Sequence, residues 1–178
     1  MTLRRVLVIV ALAGGAASPP GVADIKVTPL VAEGRVTASL AAPEAFTDDN
    51  REIIKSGVPL TFTYSVELRR PSTIWLDRTL GASTVAAKVK FDNLTARYQV
   101  TKEQDGRATW SQSTPKEEEM RAWVTAFDAV PIQVSEALEP NADYYVRVRL
   151  DVHPHVRFSL WPFGREDASG RADFTFIR

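Results

Sequence analysis

The chain has no cysteine among its 178 residues. Disulfides, thiolate metal sites and cysteine nucleophiles are therefore excluded. Histidine is almost as scarce, with only His153 and His155. Any histidine base or histidine metal site must draw on that one pair. An excess of one charge is missing too, since 22 Lys and Arg balance 22 Asp and Glu. Nucleic-acid binding needs clustered cationic excess, so no nucleic-acid partner is expected. Long apolar runs are confined to the first two dozen residues. The rest, with 44% hydrophobic and 25% charged residues overall, has the composition of a folded globular protein.

The N-terminus has a distinct layout. Arg4 and Arg5 form a short basic region, "VLVIVALA" from Val6 to Ala13 is apolar, and "GGAASPPGVA" brings small residues up to Ala23. That is the order of a secretory signal peptide. The apolar run is shorter than the roughly 20 residues that a membrane span needs. Residues 1–23 are read as a signal peptide removed after Ala23, with Ala17 as a second cleavage option. The strongly apolar core fits the general secretory route better than a twin-arginine signal, and no cysteine is present to carry a lipid anchor. Removal leaves 178 − 23 = 155 residues and takes away two arginines, so the balance becomes 20 − 22 = −2. The mature chain is expected to be one β-rich domain, 24–178, soluble and exported to the periplasm or the exterior.

From Asp24 onward the dominant pattern has period two, the mark of strands with one buried face. It appears in "RVTASL", "LTFTYSVELRR", "TVAAKVKF", "LTARYQV", "RATWSQ", "YYVRVRLDV" and "ADFTFIR". Asp105-Gly106 is a strong hairpin turn signal. Two segments read as helices. "FTDDNREIIKSG" has Thr47 as cap, acids in the first turn, Ile53 and Ile54 inward and Gly57 as the stop. "STPKEEEMRAWVTAF" offers Thr114 as cap, Pro115 at the first position and Glu117 closing a capping box, with Met120, Trp123, Val124 and Phe127 as its apolar stripe. The expected fold is all-β, an immunoglobulin-like β-sandwich with two short peripheral helices. The alternative is an α+β layer with one helix packed on an open antiparallel sheet.

Candidate sites are few. On a continuous strand Asp151, His153 and His155 would line one face, and His-x-His is a metal-ligand spacing. Pro154 lies between the histidines and favours a strand end instead. Two inert exposed histidines is the reading that stands. No serine lies in a nucleophile elbow. Paired carboxylates for glycoside chemistry can lie far apart in sequence, and nothing favours one pair. The acids at 48–49 and 117–119 suit the first turns of helices, with a calcium site at 48–50 as a remote alternative. Asn93-Leu94-Thr95 matches a glycosylation acceptor and is read as a turn. Trp110 and Trp123 are assigned to packing. Trp75 and Trp161 are less determined, and are the aromatics that a sugar-binding surface would use. None of these patterns calls for a catalytic residue, a cofactor or a metal.

"IIKSGVPLTFTYSVELRRPSTIWLD" resembles the signature segment of a bacterial family, domain of unknown function 4390. Its matching positions are Gly57, Pro59, Arg69 or Arg70, Trp75 and Asp77. "VKFDNLTARYQV" is similar to the next segment through Leu94, Arg97 and Tyr98. "LEPNADYYVRVRLDV" is similar to the third through Pro140, Tyr145, Arg147, Arg149, Leu150 and Asp151. The resemblance runs from about Ile25 to Val152, and the tail after it departs from the family pattern. It implies an exported envelope protein, in some genomes encoded beside a membrane sensor kinase, and carries over no catalytic residue. The function expected is a binding or adaptor module of the envelope without catalytic activity, partnered by an envelope or membrane protein. The alternative is an envelope carbohydrate-active or other hydrolase using paired carboxylates. Glu67 and Arg147 are expected on neighbouring strands of one sheet, sharing an exposed charged face that is read as a wetted surface with cross-strand ion pairs, with a partner-docking surface as the alternative.

Overall fold

The computed structural model describes residues 23–72, 76–154 and 166–177. Among the described residues ten strands and two short α-helices, with a 3-10 turn at Pro43–Ala45 before the first helix, follow one another in the order β1 (Ala23–Asp24), β2 (Lys26–Ala32), β3 (Arg35–Ala41), α1 (Asp48–Lys55), β4 (Leu60–Arg70), β5 (Arg78–Asp92), β6 (Arg97–Gln104), β7 (Arg107–Thr114), α2 (Glu117–Thr125), β8 (Ala126–Val134), β9 (Ala142–Pro154) and β10 (Glu166–Phe176). The fold is all-β, as the alternating sequence predicts. Strands pair in the order β1-β10-β9-β4-β5-β8-β3-β2, with β6 and β7 branching from β5. Every pairing is antiparallel except the parallel one between β1 and β10.

The path is nearly closed, as in a flattened barrel or sandwich. A larger sheet holds β1, β10, β9, β4, β5, β6 and β7, and a smaller one holds β2, β3 and β8. Two junctions join them. At the first, the long strand β5 pairs with β8 only at Gly81 and Ala82, then turns to β6 from Val85 onward. At the second, one stretch of chain serves both sheets: Ala23 and Asp24 pair with β10, and Lys26 onward pairs with β3. Both junctions bring backbone against backbone. A Cβ at Gly81 would lie 3.0 Å from the Gln133 carbonyl carbon, and one at Gly170 would lie 2.9 Å from Ile25 Cβ. Glycine is what permits each close approach.

The core lies between the sheets. Leu60, Phe62, Tyr64, Val66 and Leu68 from β4 are all at most 1% exposed. They meet Val36, Ala38 and Leu40 of β3, Val146, Val148 and Leu150 of β9, and Val130 and Ile132 of β8 in one cluster. Tyr64 carries a hydroxyl into this interior. Its O–H donates to the Val124 carbonyl at 2.9 Å, and its ring meets Phe127 edge-on at 5.2 Å. Burial pushes its ionisation far above the ordinary tyrosine range.

Helix α1 forms as its sequence predicts. Thr47 accepts a hydrogen bond from the Asn50 amide, Asp48 and Asp49 fill the first turn, Ile54 is buried with Ile53 half-buried, and the helix stops before Gly57. Helix α2 differs at both ends. Its cap position is Lys116, without a side-chain cap bond. Thr114 instead ends β7, where its hydroxyl donates to Glu119 and accepts from the Lys116 amide. No capping box forms, because Glu117 reaches away to Arg51, Lys55 and Tyr98. At the other end the chain passes from Thr125 straight into β8, so Phe127 belongs to a strand and not to the helix stripe.

Candidate functional site

The inward face of β4 is core, so its other face decides what the sheet can do. Thr61, Thr63, Ser65, Glu67 and Arg69 occupy that outer face. β4 is central, with β5 on one side and β9 on the other. The register puts Thr61 opposite His153 and Lys88, Thr63 opposite Asp151 and Ala86, Ser65 opposite Arg149 and Thr84, and Glu67 opposite Arg147 and Ala82. The two strands expected to share a charged face are thus direct neighbours. The face is half-buried rather than fully exposed, with Thr61 only 5% exposed. A central strand has side-chain neighbours on both flanks, and this shields even its polar positions.

Glu67 and Arg147 face each other in register without forming an ion pair. Glu67 lies instead 3.9 Å from Arg69 on its own strand. On its other side Arg147 stands opposite Arg171 of β10, a like-charge juxtaposition that is unfavourable on a sheet. Arg171 is neutralised locally. It donates to both carboxylate oxygens of Asp173, at 2.6 and 3.1 Å to Oδ1 and 3.1 Å to Oδ2, and lies 3.7 Å from the centre of the Tyr145 ring.

A shallow trough of about 290 Å³ opens on this face. Thr61, Thr63, Thr84 and Ala86 form its floor, with Gly106 at one end. Lys88 and Glu103 bound it on one side, paired at 2.6 Å, and His153 bounds it on the other. The cause is sequence: β4 and β5 present short side chains at Thr61, Thr63, Thr84 and Ala86, while Lys88 further along β5, Glu103 of β6 and His153 of β9 are long. The Asp105-Gly106 turn forms as predicted, with φ of +47° and +79° at its two residues. The Asp105 carboxylate also accepts the Thr84 amide at 2.9 Å, fixing the turn against β5.

At the far end of the face a second constellation holds the β4–β5 connection. The Tyr145 hydroxyl donates to Asp77 at 2.6 Å, the Ser72 amide donates to the other carboxylate oxygen at 3.0 Å, and Arg69 donates to the Asp77 carbonyl at 2.9 Å. The Tyr145 bond, then the Ser72 amide, hold the Asp77 carboxyl below its ordinary range. Arg69 Nε is buried here without a hydrogen bond. Leu76, next to Asp77, is 93% exposed. Arg69, Asp77 and Tyr145, singled out by the resemblance, therefore meet although up to 76 positions separate them.

The remaining candidates divide plainly. Asp151 and His153 do lie on one face of β9, which ends at Pro154. His155, Trp75 and Trp161 lie outside the described residues. Among the described residues no three His, Cys, Asp or Glu side chains come together to hold a metal ion. Trp110 and Trp123 pack edge-on at 5.0 Å, as assigned. Beside them Lys102 donates to the Ala126 carbonyl at 2.8 Å and lies 4.4 Å from the Phe127 ring centre. Burial lowers its basicity, partly offset by Asp128. Asn93–Thr95 forms a turn, with the Asp92 carboxylate accepting the amides of Leu94 and Thr95. Asp48 and Glu117 hold Arg51, and Glu117 also holds Lys55. Burial works against the Glu117 charge, yet those two cations keep its carboxyl below the ordinary range.

Comparison with known proteins gives one finding. The family model described as Domain of unknown function (DUF4390) matches residues 22–155, which includes the trough and the Asp77–Tyr145 constellation. No curated protein and no solved structure matches the chain.

Proposed function

This chain belongs to the DUF4390 family, and on that premise we propose that it is a binding or adaptor module of the bacterial cell envelope, without catalytic activity. It is exported, loses residues 1–23 and works in the periplasm or outside the cell beside an envelope or membrane protein, such as a membrane signalling protein. Cleavage after Ala23 keeps the pairing of Asp24 with Ser169 and the bond from the Ile25 amide to Ser169.

The observation that carries the reading is the trough. Its threonine hydroxyls each offer one donor and two acceptor positions, and the Thr61 and Thr63 hydroxyls have no hydrogen-bond partner among the described residues. One side carries the Lys88–Glu103 pair and the other carries His153. A small-residue floor between longer side chains suits an extended segment of a partner, which the floor bonds and the walls orient. The hydrolase alternative lacks such support. Glu103, the trough's carboxylate, is committed to Lys88. Asp77, Asp92, Glu117, Glu119 and Glu139 are all held below their ordinary range, opposite to what a general acid needs.

The test is position-specific crosslinking in native cells. A photoreactive group at Thr63 is expected to capture one envelope protein, and the same group at Thr37 on the smaller sheet is not. Equal capture from both positions, or none from either, removes the support.

A further inference from the structure

The larger sheet ends at β7, whose described partner is β6 alone. A free strand edge presents a row of unpaired amides and carbonyls, and proteins blunt such edges with charge, proline or a covering element. This molecule does so elsewhere. The edge strand β2 carries Lys26 and Pro29, and its chain continues directly into β1 against β10. On β7, by contrast, no residue from Ala108 to Thr114 is charged and none is proline. Its protection is limited to Arg107 at one end, a bulge at Thr109 where the register with β6 shifts, and the Arg97 side chain bonded to the Ser113 carbonyl and hydroxyl. The side chains of Ser111, Gln112 and Ser113 are exposed.

We propose that β7 is a dimerisation edge, pairing antiparallel with β7 of a second copy of this chain across a two-fold axis. The occupant follows from the charge pattern. Two-fold pairing sets an edge against itself, so any charge near the axis faces its own copy and opposes association. β7 contributes no charge of its own over seven consecutive residues, so away from the Arg97 guanidinium at Ser113 this edge is compatible with itself, which the edge of β2 with Lys26 and Pro29 is not. Serine and threonine hydroxyls then add to the cross-strand hydroxyl contact that β7 already makes with β6, where Thr101 and Ser111 lie 3.1 Å apart. Edge pairing extends the sheet in its own plane, so the dimer leaves the trough, which opens on the face of the sheet, accessible on both copies.

The experiment is sedimentation equilibrium of the exported chain over a range of concentrations. The expected mass is twice that of one chain, falling to the monomer mass on dilution. A chain that stays monomeric up to its solubility limit overturns the proposal, including the case in which β7 accepts a strand from another protein. Two double variants, Ser111→Lys with Ser113→Lys and Ser111→Glu with Ser113→Glu, are each expected to raise the dissociation constant at least tenfold while keeping the wild-type circular dichroism. Mixing them is expected to restore association as a heterodimer. Variants that dimerise as tightly as the wild type, or a mixture that stays monomeric, contradict β7 pairing.

Discussion

Replacing Gly170 with alanine tests the seam that closes the sandwich. The new Cβ would lie 2.9 Å from Ile25 Cβ and 3.0 Å from the Ile25 carbonyl carbon, where ordinary contact begins at 3.4 Å. The strand segment at Ile25 must therefore retreat by about half an ångström or more. Ile25 is 2% exposed and belongs to the core cluster, so the retreat disturbs packing as well as the β1–β10 pairing. Overpacking of this kind costs about 1–3 kcal/mol. In a domain of about 150 residues that corresponds to a fall in Tm of roughly 2–12 °C. The assay is thermal unfolding of the chain that begins at Asp24, with a second chain that begins at Lys26. In the shorter chain the obstruction is gone, so the substitution should lose most of its effect, and the double-mutant cycle should show a coupling. An unchanged Tm in the longer chain, or an equal loss in both, would refute the close-approach argument.

Further outcomes follow from single contacts. Tyr64→Phe leaves the buried Val124 carbonyl without its donor, and should lower stability by about 1–3 kcal/mol in denaturant titration. The same tyrosine has its ionisation pushed up, so its contribution is complete below the ordinary value of 10.0 and is lost as pH rises beyond it. Unfolding should become easier in alkali, and Tyr64→Phe should flatten that limb. For Glu117 the sign is opposite. Its lowered carboxyl contributes stability above the ordinary value of 4.5 that is lost as pH falls, so Glu117→Gln should melt below the wild type at pH 7 and match it in strong acid. Reversing Glu67 and Arg147 together breaks no ion pair between them, loses the Glu67–Arg69 contact and relieves the Arg147–Arg171 juxtaposition, so at about 0.5 kcal/mol for each substitution it should leave Tm within about 4 °C.

Much of the fold is legible because strand signals are local. β4 alternates without interruption, and α1 carries its own cap, acids and stop within eleven residues. The start of α2 is misread because Thr114 satisfies the sequence rule for a cap while β7 claims its backbone. Phe127 fits the helix stripe by coincidence, since a helix running into a strand without a turn lets one spacing imitate the other. The register shift beside Leu40 and the positive φ of Ala129 disguise the period of β8 further. The candidate site was legible only in part. Neighbouring charged strands could be foreseen from their patterns. The trough could not, because it arises where short residues of β4 and β5 come into register between longer ones, Lys88 of β5, Glu103 of β6 and His153 of β9.

The central claim is that this trough is a docking surface, and filling it tests that claim most directly. Thr63→Arg places a long charged side chain on the trough floor without touching the inward core of β4. The account predicts that partner capture from native envelopes falls at least tenfold while Tm stays within about 2 °C, as expected for a surface change. Full capture by a stable Thr63→Arg protein would contradict it.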